Sequence, residues 1–236
     1  MKILIIGIVL TLLLITSCAR VQQVADSTNA NNAAGLPTVE QRTGTENMPQ
    51  NEPIKDSEIA GLIAKSDKVD NYQYFYKETT GTTSSGYKVY FLQNKVRKEY
   101  SAPVRVSDTL SYNKVFLDLN TKTAYAVCDT TGVSCDNLRS KIFPINYETE
   151  ALPFLPHLLP QEITSDAMND GYELVESRKT LLVEYDGSKM NLDQYSGVAM
   201  KYVPKDSEVS YTFTQLGLNS VKESDVTLPK DYEMMK

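Results

Sequence analysis

No tryptophan occurs in this 236-residue chain, histidine occurs once and cysteine three times. So little histidine and cysteine leaves scant material for a zinc site or a histidine-based triad. Lys and Arg number 24 against 30 Asp and Glu, a formal charge of −6. That balance argues against a nucleic-acid protein, which needs a basic surface for phosphate, and against a polybasic membrane-surface patch. All 15 Tyr and all 6 Phe lie at or after Tyr72. The first seventy positions therefore lack the large side chains that anchor a core.

Catalytic signatures are missing too. The chain has no Gly-x-Ser-x-Gly and no His-Glu-x-x-His, and its 11 Gly form no phosphate-cradling loop. His157, between Pro156 and Leu158, has no Ser or Cys motif arranged around it and reads as a structural or surface histidine. Asp166, Asn169, Asp170 and Gly171 lack the alternating spacing of a calcium loop. The expectation is a non-enzyme, with no catalytic residue, no metal ligand and no cofactor.

What is present begins at the N-terminus. After Lys2, Ile3 to Ile15 run apolar apart from Gly7 and Thr11. Thirteen residues are too few to cross a hydrocarbon core, which takes about 20, but suit a signal-peptide core. Ile15-Thr16-Ser17-Cys18 closes the run and resembles the lipobox of prokaryotic lipoproteins. The resemblance implies cleavage before Cys18 and a lipid on its sulfur; an uncleaved signal anchor is the alternative. Residues 1–17 are thus expected as signal peptide, and the mature protein as lipid-anchored at the extracytoplasmic face of a membrane, at the cell surface or in a periplasm.

Residues 18–53 read as the lipidated cysteine and a disordered tether, rich in Asn, Gln, Thr, Ala and Glu and without periodicity. As a flexible coil it spans roughly 30 Å. With Cys18 assigned to lipid, Cys128 and Cys135 remain as an even pair in an exported chain. Six turn-like residues separate them, so a structural disulfide is expected; the redox alternative favours the tighter Cys-x-x-Cys.

Residues 54–236 carry the folded domain. Asp56 or Ser57 caps a short amphipathic helix near 57–66, with Ile59, Leu62 and Ile63 on one face. Strand patterns follow from Tyr72-Tyr74-Tyr76, through 87–92, 96–100, 114–119 and 123–128, to 173–176, 180–185, 189–193, 198–203 and 208–215. Gly81–Gly86 reads as a loop, Asn94-Lys95 as a tight turn, and Asp186-Gly187 as a two-residue hairpin. Short connections without long helices indicate an antiparallel meander. Phe143–Asn169, broken by Pro144, Pro153, Pro156 and Pro160, interrupts it, with Ser165–Asp170 as a candidate helical turn. Two readings stand for this segment: a flap over the sheet's apolar face, or a crossover packed into the core.

The leading helix, the long meander and the mid-chain insert come first in a resemblance that runs over about 57–230. Met190 to Tyr202, Glu208-Val209-Ser210-Tyr211-Thr212-Phe213 and the Asp225-to-Pro229 tail complete it. Together they resemble the LolA/LolB-like lipoprotein-localisation superfamily, which includes mycobacterial lipid-carrier lipoproteins and a periplasmic sigma-factor regulator. The resemblance implies a mainly β (α+β) fold: an antiparallel unclosed β-barrel, or half-barrel, with short covering helices and a concave apolar face that holds acyl chains. The LolA carrier itself is soluble, and a disulfide is not required of the family; this chain departs on both points.

Candidate lining residues are Tyr74, Tyr76, Phe91, Leu117, Phe154, Leu158, Val183, Met200, Tyr211 and Phe213. Any single-layer sheet needs one apolar face, so a plain packed core explains the same strands. The leading expectation is a non-catalytic protein that binds or shields a lipid or other hydrophobic molecule. The alternative is an envelope interaction or sensor module that binds a partner protein.

Overall fold

The computed structural model describes residues 53–130 and 135–235; the expected signal peptide, Cys18 and nearly all of the expected tether lie outside them. Helix α1 is Ser57–Ser66. Asp56 caps it, its carboxylate accepting from the backbone N–H of Glu58 at 2.8 Å and of Ile59 at 3.1 Å. Ile59 and Leu62 are buried, one turn apart on the inner face. Among the described residues no helix is long and apolar enough to cross a membrane.

Twelve strands follow among the described residues: β1 Asn71–Thr80, β2 Thr83–Leu92, β3 Lys95–Arg105, β4 Ser111–Asp118, β5 Thr123–Val127, β6 Lys141–Pro144, β7 Met168–Val175, β8 Arg178–Tyr185, β9 Ser188–Asp193, β10 Ala199–Val203, β11 Val209–Leu218 and β12 Glu233–Met234. They form one sheet in the order β12-β6-β5-β4-β3-β2-β1-β11-β10-β9-β8-β7. Every pairing is antiparallel except β12 on β6. The end strands β12 and β7 do not pair with each other, so the barrel stays open. This is the unclosed half-barrel that the resemblance implied, with α1 and two one-turn helices, α2 Tyr147–Glu150 and α3 Glu223–Val226.

Register sets what faces inward. Phe143, Ala126, Val115, Lys98, Val89 and Tyr74 face one another across six strands, as do Leu117, Val96, Phe91 and Tyr72 one step along. All ten belong to the inner face, and all are buried. The opposite face is also apolar near one edge, where Phe116, Val127 and Ile142 meet Leu228 and Tyr232 of the C-terminal tail. The tail then ends as β12 on β6. Neither β6 nor β12 has a sequence signal, since four and two residues are too short for alternation to register.

Several turns differ from expectation. The Gly81–Gly86 loop is a two-residue turn, because β1 and β2 stay paired out to Thr80 and Thr83; Gly81 supplies a φ of +57°. The next turn is Gln93-Asn94, with Lys95 already paired to Leu92. Ser165–Asp170 is no helical turn: Ala167 N–H closes a turn on the Thr164 carbonyl, and β7 begins at Met168. Asp186-Gly187 is the expected hairpin turn, both residues at positive φ.

Between β6 and β7 the chain must travel from beside one edge of the sheet to the other, past nine strands. Residues 145–167 make that crossing along the inner face. The proline-broken insert is therefore a crossover packed into the core that also covers the apolar face, and the two sequence readings merge. Cys128 and Cys135 form a disulfide, both buried beside Leu138.

Candidate functional site

The inner face carries a row of aromatic rings that runs across the strands. Phe143 on β6 meets Tyr112 on β4 (centroids 6.5 Å apart), which meets Tyr100 on β3 (6.0 Å), Tyr87 on β2 (5.3 Å) and Tyr76 on β1 (4.9 Å). Tyr211 on β11 and Tyr202 on β10 continue it at 6.3 Å each. The crossover adds Phe154, whose edge meets Tyr211 at 4.8 Å and Tyr202 at 5.4 Å. Tyrosine suits such a surface, its ring contributing area and its hydroxyl a single polar point.

Two polar clusters hold the crossover against the sheet. At its start Glu150 is buried and accepts from Lys98 Nζ (2.8 Å), Tyr100 Oη (2.8 Å) and Tyr112 Oη. Lys98 also donates to the Glu150 carbonyl at 3.0 Å, and lies 4.5 Å from the centre of the Tyr87 ring. Burial acts to raise the Glu150 pKa, but the hydrogen bonds from Lys98, Tyr112 and Tyr100 together with the Lys98 charge outweigh it and hold the carboxyl below its usual value. Further along, the Tyr72 hydroxyl and His157 Nδ1 share a hydrogen bond of 2.6 Å, with Phe91 packed on the imidazole at 4.9 Å. Burial drops the His157 pKa to about 4, against the smaller pull of Asp67 and Asp70. The Ala199 N–H donates to the Pro156 carbonyl at 2.9 Å between these clusters.

Most of the candidates converge. Tyr74, Tyr76, Phe91, Leu117, Val183, Met200 and Phe213 are all in the main core cluster, and Phe154 and Tyr211 pack against it half-buried. Leu158 does not join them: it is 46 % exposed, because the crossover presents His157 and Leu159 inward on either side of it. The Tyr74 hydroxyl is buried without a hydrogen-bond partner among the described residues. Four grooves of about 210 to 400 Å³ indent the domain elsewhere, and of the ten candidates only Leu117 lines one of them. With the crossover in place, the candidates other than Leu158 belong to the core cluster or pack against it.

Lys98, Glu150, Tyr100, Tyr112 and Tyr72 are not among the candidate lining residues, although Tyr72 is read as part of the first strand. Parity alone could have found the lysine: Val96, Lys98 and Tyr100 share one side of a strand, so a face that buries Val96 also buries the ammonium group. Nothing local marks Glu150 as its partner, 52 residues away.

No protein-family model and no curated protein matches the chain. Among solved structures it is similar to the Pseudomonas aeruginosa MucA/MucB complex, at 15% identity and a TM-score of 0.40, covering 75% of this chain and 62% of that one. It is similar as well to LprF from Mycobacterium bovis, at 10% identity and a TM-score of 0.44, covering 74% and 95%. A LolA-superfamily protein from Nitrosomonas europaea matches at 6% identity and a TM-score of 0.29, covering 72% and 97%. The chain spans about 62% of the length of the MucB-complex chain. These are likenesses of fold alone.

Proposed function

We propose that this is a membrane-anchored extracytoplasmic lipoprotein whose half-barrel binds or shields a lipid or another hydrophobic molecule, without catalysis. One observation carries the reading: the apolar, tyrosine-rich inner face is covered by an irregular crossover pinned at a few polar points, not by a second regular layer. A sheet packed under a second sheet or long helices must unfold to expose its core. Here the row from Tyr112 to Tyr202 would be bared by lifting the crossover, through loss of its Glu150, His157 and Pro156 contacts and the packing of Phe154, Leu159 and Ile163, while the strands stay paired. The orphan Tyr74 hydroxyl, costing about 1–3 kcal/mol while unpaired, supports the same reading. Tyr74, Tyr76, Phe91, Val183, Met200, Tyr211 and Phe213 would line the bound molecule, with Phe154 at its rim. Anchoring through a diacylglyceryl group on Cys18 would place the domain at the membrane, within reach of such ligands.

The test is native mass spectrometry of the chain from residue 18, carrying Cys18→Ser, after incubation with total membrane lipids. Stoichiometric bound lipid is expected, reduced in Met200→Asp. A protein that remains at its bare mass overturns the carrier reading and leaves the partner-binding module, which the unpaired edge of β7 favours. The anchor is checked separately. Cys18→Ser should move the native protein out of the membrane fraction once membranes are washed in 0.5 M NaCl, and a cleaved chain carrying Cys18→Ser that still sediments with membranes at that salt would refute lipidation.

A further inference from the structure

Away from the inner face, the loop between β9 and β10 holds Tyr195 out in solvent, 81 % exposed. The loop itself is tightly built. The Asp193 carboxylate accepts from Ser196 N–H at 3.0 Å and Ser196 Oγ at 2.7 Å, and the Asp193 carbonyl accepts from Gly197 N–H at 2.7 Å. Lys65 Nζ donates to the Gln194 carbonyl at 3.1 Å, and Gln194 N–H donates to the Lys179 carbonyl at 3.1 Å. Gly197, at φ +75°, lies so near α1 that an added Cβ would meet the Leu62 carbonyl. A large aromatic side chain displayed on a backbone this constrained is displayed for contact, since no core interaction holds it there.

Two grooves flank the ring. One, about 360 Å³, is lined by Lys65, Lys68, Val69, Ser196 and Leu218. The other, about 400 Å³, is lined by Arg178, Lys179, Asp193 and Gln194. Tyr195 belongs to both. Arg178 is paired with Asp193 at 3.2 Å. Lys65, Lys68 and Lys179 have no carboxylate within ion-pair distance among the described residues, Lys65 being held only by the Gln194 carbonyl. Asp67, the acid next to Lys68 in sequence, lines a different groove with Ile63 and Gln161. The patch extends onto the edge strand. Lys179 Nζ sits 3.8 Å from the Tyr172 ring centre, and Leu174 is the direct cross-strand partner of Lys179. Tyr172 is 48 % exposed and Leu174 74 %. Three exposed apolar or aromatic side chains thus lie among three lysines, on a protein whose overall charge is −6. Of the acids nearby, Asp193 is paired with Arg178, and Glu58 accepts from the Tyr172 hydroxyl at 2.6 Å.

We propose that this face is a second membrane contact, and that its occupant is the surface of an anionic phospholipid bilayer. Lysines offer point charges to lipid phosphates, tyrosines occupy the headgroup level, and Leu174 reaches the acyl boundary. The chemistry answers that of an anionic interface and leaves little for a neutral one. Helix α1 ties the face to the chain's N-terminal side: Pro53 leads into it at one end, Lys65 lies in its last turn, and Lys68 follows. The charge balance of the whole chain argues against a membrane-surface patch; the local cluster invoked in this proposal arises because residues 65–68, 172–179 and 195 come together only in the folded chain.

The experiment is vesicle co-sedimentation of the chain from residue 18 carrying Cys18→Ser, so that no lipid anchor contributes and the outcome is separable from ligand carriage. Vesicles of 3:7 phosphatidylglycerol and phosphatidylcholine should bind it, and pure phosphatidylcholine should bind it at least tenfold more weakly. Lys68→Gln should lose about fivefold, Tyr195→Ala a similar factor, and 0.5 M NaCl should release the protein. Val106→Ser, on the β3–β4 connection, should behave as the parent; thermal melts confirm that all variants are folded. Equal binding to both vesicle types overturns the proposal, as does unchanged binding by Tyr195→Ala and Lys68→Gln, or no binding at all. Inorganic phosphate that binds with the same residue dependence while vesicles do not would assign the face to a soluble anion and equally overturn it.

Discussion

The hydroxyl of Tyr72 and Nδ1 of His157 lie 2.6 Å apart inside the domain, joining the first strand of the sheet to the crossover that covers it. The pair makes the crossover's attachment sensitive to acid. Burial holds the His157 pKa at about 4, below the ordinary 6.5, so the folded state carries fewer protons than the unfolded one between those values. Stability is therefore lost as pH falls from 6.5 towards 4, by at most about 3 kcal/mol. Urea midpoints at pH 7 and pH 4.5 should differ less in His157→Gln than in the parent. An equal pH dependence in both would show that His157 is not the group responsible.

A second acid-sensitive point begins to act at the lower end of that window. Glu150 has a folded pKa under its usual 4.5, so its contribution is present above the unfolded value and is lost as pH falls through the folded one. Removing its cation is the more direct probe. Lys98→Met should cost about 3–5 kcal/mol by leaving a buried carboxylate without its counter-charge. Adding Glu150→Gln should restore part of that loss, a non-additivity measurable in a double-mutant cycle. Strictly additive effects would mean that the two side chains do not act as a pair.

Two glycines at positive φ should respond very differently to alanine. Gly81, φ +57°, has no atom within 4 Å of an added Cβ, and Gly81→Ala should cost only the backbone strain of about 1–2 kcal/mol. At Gly197 the added Cβ would lie 1.9 Å from the Leu62 carbonyl oxygen. Gly197→Ala must push the β9–β10 loop away from α1 and should lower the melting temperature several times as far. Equal melting shifts would contradict the close approach of loop and helix.

The Cys128–Cys135 bridge closes a loop of eight residues, worth roughly 2–3 kcal/mol in the chain-entropy model. The double substitution Cys128→Ala/Cys135→Ala should lower unfolding free energy by about that amount without loosening the sheet. In the native protein isolated without reductant, neither thiol should alkylate. Two free thiols would exclude the bridge.

Much of the sheet was legible because its strands alternate. Tyr72, Tyr74 and Tyr76, or Val115 and Leu117, announce a buried face by period alone, and the Asp56 cap with Ile59 and Leu62 announces the helix. The two shortest strands were not legible, having no room for a period. Nor was the hairpin between Gly81 and Gly86, whose Ser and Thr residues stay paired though they bury little. Leu158 was misplaced because an irregular, proline-broken segment has no parity from which to infer a side chain's direction.

Local pattern thus determined the kind of fold, the inward tyrosines, the cysteine pair and the expectation of an anchor at Cys18, since each depends on neighbours within a few positions. Tertiary structure alone decided what those features meet. The sheet order sends residues 145–167 across the whole inner face, so Glu150 finds Lys98 and His157 finds Tyr72; the same winding gathers Lys65, Lys68, Lys179 and Tyr195 on one surface of an acidic chain. Glu150 and Lys98 are 52 positions apart, His157 and Tyr72 are 85 apart, and Lys65 is 129 from Gln194, whose carbonyl it meets beside Tyr195. The energy of such pairings resides in burial and in opposite charges brought close, quantities that composition and periodicity do not contain.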